Sequence, residues 1–140
     1  MLTISKENID QIAAFAENSF PHECCGILFG SVAEQQKIVR EIMSVTNSCG
    51  NNERMYHFEI TPEQMLRAEK YAVKNGLDIV GFYHSHPGFA AIPSDYDLHC
   101  AFPVYSYIIA SVIEGKTLEV RSWTINIASK LFAPEKIIYN

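Results

Sequence analysis

Clusters of basic residues are absent from this sequence. No two of its 11 lysines and arginines are adjacent, and with 16 acidic residues the formal net charge is −5. Binding to a phosphate backbone or to an anionic membrane surface depends on concentrated positive charge. The sequence therefore predicts that neither a nucleic acid nor a membrane is a partner of this protein.

Long apolar segments are absent as well. A membrane-spanning helix needs roughly 18 or more consecutive apolar residues, and no stretch of the chain approaches that length. The first residues, MLTISKENIDQIAAF, lack the basic start and the long apolar centre of a secretory signal. We therefore expect a cytoplasmic protein.

Cysteine pairs of the C-x-x-C type are also missing. The four cysteines are Cys24, Cys25, Cys49 and Cys100. A zinc knuckle made of thiolates, or a redox pair, would need the C-x-x-C spacing, whereas free thiols in a cytoplasmic protein are usually buried and structural. We expect unpaired buried thiols, and only Cys100, three positions after Asp97, is a candidate for lying near a metal site.

Length and composition fit one folded domain. With 140 residues, of which 48% are hydrophobic and 19% charged, the chain can bury a core without disulfides, and we expect a single domain over residues 1–140. Hydrophobic periodicity and capping residues predict an alternating α/β or α+β arrangement. The expected helices lie between Ser5 and Pro21, over 61–76 and from near Ser94; the expected strands cover 24–30, 37–45, 55–60, 77–86, 105–113, 117–128 and 136–139.

Two histidines end the most apolar of these strands. His84 and His86 are two positions apart, and side chains at i and i+2 of a strand project to the same side. Ser94 and Asp97 follow after a loop and are three positions apart, so that one helical turn would direct both towards the histidines. Two imidazoles and one carboxylate suit Zn²⁺, and three protein ligands leave a fourth position for water, as in catalytic sites. The spacing thus predicts a metal site formed by His84, His86 and Asp97.

The same residues also have a structural interpretation. Ser-x-x-Asp is close to a capping box, in which Ser94 begins a helix and Asp97 lies near the positive end of its dipole. A hydrolase would further need a group that takes a proton from water and passes it to the leaving amine. Glu23, just before the apolar run CCGILFG, is the candidate, although glutamate usually lies at the surface and an exposed loop position is the alternative. The residues alone leave both interpretations open.

The complete pattern resembles a known family. Glu23, followed 61 positions later by H-x-H-x(7)-S-x(2)-D from His84 to Asp97, resembles the JAMM motif of the MPN+ (Mov34/MPN/PAD-1) metallopeptidases, and GFYHSHP is its most distinctive phrase. The resemblance extends over essentially the whole chain, from ECCGILFG to YSYIIASV. Other zinc-hydrolase motifs, H-E-x-x-H and the H-x-E with P-C-x-x-C of cytidine deaminases, do not occur. The chain is similar to the short bacterial form of the family.

This resemblance implies a fold, a cofactor and a set of residue roles. The fold would be a curved mixed β-sheet flanked by helices, similar to that of cytidine deaminases. His84, His86 and Asp97 would bind Zn²⁺. Glu23 would act as general base and then general acid, and Ser94 would hydrogen-bond the attacking water or the oxyanion. The resemblance therefore implies a JAMM-type zinc metallopeptidase.

The resemblance also implies a class of substrate. Short bacterial members are linked to ubiquitin-like sulfur carriers of the ThiS/MoaD type, from which they trim residues after the Gly-Gly end or release cysteine. An E1-like adenylyltransferase or a cysteine synthase would then be further partners. The thin Gly-Gly tail is expected to add as a strand beside an exposed sheet edge, for which residues 55–60, or the chain just before them, are our prediction.

Two other functions remain open at this stage. A non-catalytic MPN interaction scaffold would be expected to lack one or more metal ligands, and none is missing here. A thiol enzyme would use Cys24 or Cys25, although no histidine partner is evident for either.

Overall fold

The computed structural model describes residues 1–50 and 52–140. Within these ranges the chain forms eight strands and three helices. In chain order they are β1 (Leu2–Ile4), α1 (Lys6–Ser19), β2 (Cys25–Ala33), β3 (Gln36–Val45), α2 (Pro62–Lys74), β4 (Asp78–Pro87), α3 (Asp95–Cys100), β5 (Ser106–Ile113), β6 (Lys116–Ile125), β7 (Phe132–Glu135) and β8 (Ile137–Tyr139). The strands form one sheet in the order β7-β6-β5-β4-β2-β3-β1-β8, with both parallel and antiparallel neighbours.

The sheet is strongly curved, and its two edge strands are consecutive in the chain. β7 pairs with β6 and β8 pairs with β1, yet only Lys136 separates β7 from β8. Lys37 on β3 donates from Nζ to Oγ of Ser106 on β5 at 2.9 Å, although these strands are not neighbours in the sheet. The fold is therefore a curved, nearly barrel-shaped mixed sheet with a few helices, and the predicted α+β class is confirmed.

Helices α1 and α2 cover opposite faces of this sheet. The buried residues of α1 pack in one cluster with Leu28 of β2, whereas the buried residues of α2 pack with its neighbour Ile27. Because successive side chains of a strand point to opposite faces, β2 is buried on both sides. Residues 80–87 of β4 are also buried throughout, which explains why these strands are apolar runs rather than alternating patterns.

A bulge in β4 decides which face carries the two histidines. The register between β2 and β4 shifts opposite Val80, which is left as the extra residue of the bulge. After the bulge, Phe82 packs in the cluster on the α2 face. His84 and His86 follow Phe82 with the period of two that a strand imposes. Both imidazoles are thus held on the α2 face, at the C-terminal end of β4.

Most of the predicted elements are present within one to three residues of their expected bounds. Ser5 caps α1 by accepting from the N–H of Asn8, and Thr61 with Gln64 forms the predicted capping box of α2. Gly76, with φ of 65°, follows α2 in the left-handed conformation that its position predicts. In the described residues, no helix combines the length and the apolar character that crossing a membrane requires. Short strands β1 and β7 have no clear signal in the sequence.

The strand predicted over residues 55–60 is wrong, because this segment consists of turns and irregular chain. The N–H of His57 bonds back to the carbonyl of Glu53 at 2.8 Å, as in a helical turn. The N–H of Glu59 bonds to Oδ1 of Asn47 at 3.1 Å and not to a strand. The segment is therefore fixed by a side chain, and it is not an edge of the sheet.

Gly81 lies where β4 and β5 are in close contact, which provides a test of the packing. A Cβ on Gly81 would lie 2.0 Å from the carbonyl oxygen of Ser106. Gly81→Ala is therefore expected to lower the free energy of unfolding by about 3 kcal/mol or more, measured by urea denaturation. Gly50→Ala, where no described atom lies within 4 Å of the added Cβ, is the control and should change it by less than about 0.5 kcal/mol. Equal effects of the two substitutions would contradict this explanation.

Candidate metal centre

Three side-chain atoms converge at the C-terminal end of β4. His84 Nε2 lies 3.2 Å from His86 Nε2, and Asp97 Oδ2 lies 3.3 and 3.1 Å from these two nitrogens. All three residues are buried. Ligand atoms bound tetrahedrally about 2.0–2.1 Å from a zinc ion lie about 3.3–3.4 Å from one another. The structure thus brings the predicted ligands together, and their spacing and chemistry fit zinc.

Glu23 joins this cluster from the end of the neighbouring strand. It precedes β2, which runs antiparallel to β4 with Cys25 opposite His84, so that Glu23 lies beside His86. The side chains of Glu23, His84 and His86 each offer an atom that can bind a metal, and these atoms lie within 4.8 Å of one another. Glu23 is only 4% exposed, so the alternative of an exposed loop position is wrong. A carboxylate in this place can serve either as a further metal ligand or as a proton acceptor.

Burial and hydrogen bonding together set the charges of the cluster. It raises the pKa of Glu23 to about 8, while His86 lowers and Asp97 raises that pKa by lesser amounts. Burial alone would raise the pKa of Asp97, but hydrogen bonds with His84 and His86 outweigh it and hold this pKa well below its usual range. Burial lowers the pKa of His84, which favours the neutral imidazole that binds metals. The cluster therefore combines an ionised carboxylate and a neutral imidazole with a glutamate able to hold a proton near neutral pH.

Each histidine is oriented by a neighbour that the motif does not include. His86 Nδ1 lies 2.9 Å from the carbonyl oxygen of Ala90, to which it donates, and this leaves the lone pair on Nε2 for a metal. The ring of Phe58 stacks on that of His84, with centroids 4.5 Å apart and 25° between the planes. The sequence marks Ala90 only as part of a turn-rich loop and Phe58 only as part of a strand that does not form.

The loop that carries Ala90 is fastened to the sheet. Ser111 Oγ donates to the carbonyl of Phe89 at 2.6 Å, and Trp123 Nε1 donates to the carbonyl of Ala91 at 3.0 Å. Ser111 lies on β5 and Trp123 on β6, which are on the opposite side of β4 from β2. The two bonds hold the residues immediately before and after Ala90. The carbonyl that orients His86 is therefore part of a fixed structure.

Ser94 and Asp97 form the cap of α3, and the same arrangement directs Asp97 towards the histidines. Ser94 Oγ accepts from the N–H of Asp97 at 3.1 Å, and the N–H of Ser94 donates to Asp97 Oδ2 at 2.9 Å, which is a complete capping box. The oxygen that receives this bond is the one that faces the two histidines. The cap therefore orients the predicted ligand. Since Ser94 Oγ acts as an acceptor in the cap, its own hydroxyl proton remains available as a donor.

The surroundings of Cys24 and Cys25 argue against a thiol enzyme that uses either residue. Cys24, Cys25 and Cys49 are buried free thiols, as expected, whereas Cys100 is exposed on α3. Burial raises the pKa of Cys25 to about 12 and also raises the pKa of Cys24. A thiol enzyme needs a thiolate near neutral pH. The environment of these two residues therefore disfavours a role as nucleophile.

An apolar cavity opens on the α2 side of the cluster. Its volume is about 540 Å³, and His84 and Asp97 form part of its wall. Most of the remaining wall is aromatic or aliphatic, including Phe58, Ile60, Phe82, Phe102, Val104 and Tyr105. Glu23 and His86 are not part of this wall. The cavity therefore borders only the side of the cluster that His84 and Asp97 form.

Comparison with solved structures agrees with the architecture. The chain superposes on a protein of Desulfitobacterium hafniense with a TM-score of 0.86 and 31% identity, over 100% of this chain and 93% of that one. It superposes on a JAB1/MPN domain protein from Archaeoglobus fulgidus with a TM-score of 0.61, over 100% of this chain and 97% of the other. At 16% identity the second match shows the fold alone.

Comparison of sequences gives the family. The chain is 32% identical to a desampylase from Pyrococcus furiosus over 109 residues, which cover 78% of this chain and 71% of that protein. Residues 5–126 match the family described as prokaryotic homologs of the JAB domain, and this range includes Glu23, His84, His86, Ser94 and Asp97. The resemblance stated from the motif is therefore confirmed. The chain belongs to the prokaryotic homologs of the JAB domain.

Proposed function

We propose that residues 1–140 form a zinc-dependent peptidase or isopeptidase domain that acts at the C-terminal Gly-Gly end of a ubiquitin-like protein. The observation that carries this proposal is the buried Glu23 beside three converging donor atoms of His84, His86 and Asp97. Oε1 of Glu23 is buried and has no hydrogen-bond partner among the described residues. A carboxylate with a purely structural role would be expected to have such a partner. The relation to a desampylase supports isopeptidase activity on a ubiquitin-like protein.

Each residue of the cluster has a role that its position allows. His84, His86 and Asp97 would hold a zinc ion, and its chemistry there would be to polarise the substrate carbonyl and to make water nucleophilic at neutral pH. Glu23 takes a proton from the water as its oxygen adds to the carbonyl carbon, and it returns this proton to the leaving nitrogen as the C–N bond breaks. The hydroxyl of Ser94 donates a hydrogen bond to the oxygen that becomes negative.

The apolar cavity is the proposed place for the end of the substrate. It begins at the cluster and is bordered by Phe58 and Ile60. Their neighbours in the chain, His57 and Glu59, bond to the side chain of Asn47, and the peptide groups of Phe58 and Ile60 take no part in that pairing. Among the described residues these groups have no main-chain hydrogen bond, so an extended tail can pair with them. The tail would then add beside an irregular segment and not beside the sheet edge expected from the sequence.

A sulfur carrier of the ThiS/MoaD type is the proposed substrate. β4 ends at Pro87 and α3 begins at Asp95, so the connection between them offers no insertion to hold a larger folded partner. The reaction would trim residues after the Gly-Gly end of the carrier or release cysteine from it. An E1-like adenylyltransferase or a cysteine synthase would then act on the same carrier.

Defined fusions test this function. Protein purified without chelator is expected to hold about one zinc ion per chain and to cleave after the second glycine of a carrier that ends in Gly-Gly followed by one or a few residues, as seen by mass spectrometry. An isopeptide conjugate of the same carrier distinguishes the two kinds of bond. 1,10-Phenanthroline should stop the reaction and added zinc should restore it. Zinc-loaded protein that leaves every fusion and conjugate intact would favour the non-catalytic scaffold.

The cavity can be tested separately from the metal centre. Val104 lies on the cavity wall and is 69% exposed, so that a charge there should not disturb the fold. Val104→Glu is expected to lower kcat/KM by about tenfold or more, because it places a carboxylate in an apolar substrate path, while zinc content stays unchanged. Ile127→Glu, at an exposed apolar residue outside the cavity wall, is the control. Unchanged kcat/KM in the Val104 variant would place the substrate elsewhere.

A further inference from the structure

Asn47 forms an unusually complete set of hydrogen bonds in the segment between β3 and α2. Its Nδ2 donates to the carbonyl of Glu23 and to the carbonyl of His57, each at 3.0 Å. Its Oδ1 accepts from the N–H of Cys49 at 3.0 Å and from the N–H of Glu59 at 3.1 Å. One half-buried amide thus satisfies four main-chain groups from three separate stretches of chain.

The partners leave only one orientation for this amide. Two carbonyl oxygens face one end of the side chain and two N–H groups face the other, so that exchanging Oδ1 and Nδ2 would break all four bonds. No other polar side chain of similar size could replace it, because aspartate lacks the two donors and serine has only one. The site requires asparagine.

The first stretch that Asn47 holds is the main chain of Glu23. The N–H of Glu23 donates to the carbonyl of Arg54 at 2.6 Å, and the carbonyl of Glu23 accepts from Asn47. The next residue, Cys24, donates its N–H to Ser85 Oγ at 2.8 Å. The backbone of Glu23 is therefore fixed on both sides, although within the described part of the chain one oxygen of its carboxylate has no partner.

The second stretch is the chain on either side of Phe58. Asn47 bonds to His57 and to Glu59, the residues before and after Phe58, whose ring stacks on His84. The same amide therefore fixes the backbone of the proposed proton acceptor and the segment that covers a proposed metal ligand. Neither contact belongs to the motif from His84 to Asp97.

We propose that Asn47 is a positioning residue, which fixes Glu23 relative to the metal centre and ties that position to the segment carrying Phe58. This inference rests on the proposed function for its effect on catalysis. Asn47 touches no reacting atom, so its loss should reduce the rate of the chemical step and not the binding of metal. The effect should disappear when Glu23 can no longer transfer a proton.

Asn47→Asp is the variant that tests this inference. It keeps the size of the side chain and an acceptor for Cys49 and Glu59, but it replaces the two N–H donors with an oxygen. With the fusion substrate, kcat is expected to fall by about 10- to 100-fold while KM changes by less than about threefold and zinc content stays the same. Asn47→Ala removes the amide without placing a negative charge against two carbonyls, and it should give the same result if the aspartate variant does not fold.

A double-mutant cycle separates positioning from general damage. In the Glu23→Gln background, Asn47→Asp should lower the residual rate by less than about threefold, because both substitutions impair the same step. Asn75→Asp is the matched control, since Asn75 Nδ2 also donates to a main-chain carbonyl, that of Tyr71, but lies at the C-terminal end of α2. Additive losses in the cycle, or an equal loss in the control, would overturn the inference.

Amide hydrogen exchange gives a result that does not depend on activity. The protection of the Glu23 N–H is expected to fall by about tenfold or more in Asn47→Asp and to stay unchanged in Asn75→Asp. Unchanged protection in the Asn47 variants would overturn the positioning role even if the rate falls. If the wild-type protein cleaves no fusion or conjugate but loses this protection in Asn47→Asp, then the proposed function fails and the structural role of Asn47 stands.

Discussion

Glu23→Gln is expected to lower turnover of the fusion substrate by about 10²- to 10⁴-fold while zinc remains bound, because the amide keeps the shape of the side chain but cannot carry a proton. The fold should tolerate the change. Burial raises the pKa of Glu23 to about 8, so the neutral form is already favoured in the metal-free protein at neutral pH. Single-turnover kinetics together with zinc analysis of the same sample measure both expectations.

Two results would contradict this role for Glu23. Full activity of the variant would exclude proton transfer by Glu23, whereas loss of zinc would make Glu23 a metal ligand, which its position near His84 and His86 also permits. Glu69→Gln is the matched control, because Glu69 is an exposed glutamate on α2. It should retain both zinc and the wild-type rate.

The part of the site that could be predicted from the sequence is the part set by short-range geometry. A strand period of two brings His84 and His86 to one face, and one helical turn brings Ser94 and Asp97 together. The first expectation agrees with the 3.2 Å between the two imidazoles, and the second agrees with the two hydrogen bonds between Ser94 and Asp97. The position of Glu23 beside these residues does not follow from short-range geometry, because it depends on the antiparallel pairing of β2 with β4. Its place before the apolar run CCGILFG made Glu23 a candidate, but only the motif resemblance paired it with the two histidines.

The parts that could not be predicted depend on contacts between side chains and main chain in irregular segments. MYHFEI alternates as a strand would, but the bonds from Asn47 fix it as irregular chain, and propensity carries no information about such a contact. The carbonyl of Ala90 orients His86 only because the following loop is fastened by Trp123. The three-residue strand β1 is too short for a periodic signal and forms because β3 and β8 flank it.

Asp97→Asn is expected to lower zinc affinity by more than about 100-fold, with turnover lost in proportion. Loss of a partner outside the ligand shell already costs about 10- to 100-fold, and this change affects a proposed ligand itself. The amide can still accept the N–H of Ser94, so the cap of α3 should survive and the loss cannot be assigned to unfolding of the helix. Competition with a chromophoric chelator measures the affinity.

Asp95→Asn is the matched control for Asp97→Asn. Asp95 lies in the same first turn of α3 and carries the same charge, but it is exposed. The control should therefore bind zinc as the wild type does. If the Asp97 variant also bound zinc with wild-type affinity, Asp97 would be a helix cap only, and Glu23 would be the remaining carboxylate able to complete the ligand set. Asp97→Asn and Glu23→Gln together thus assign the two buried carboxylates: we expect that one holds the metal and the other moves the proton.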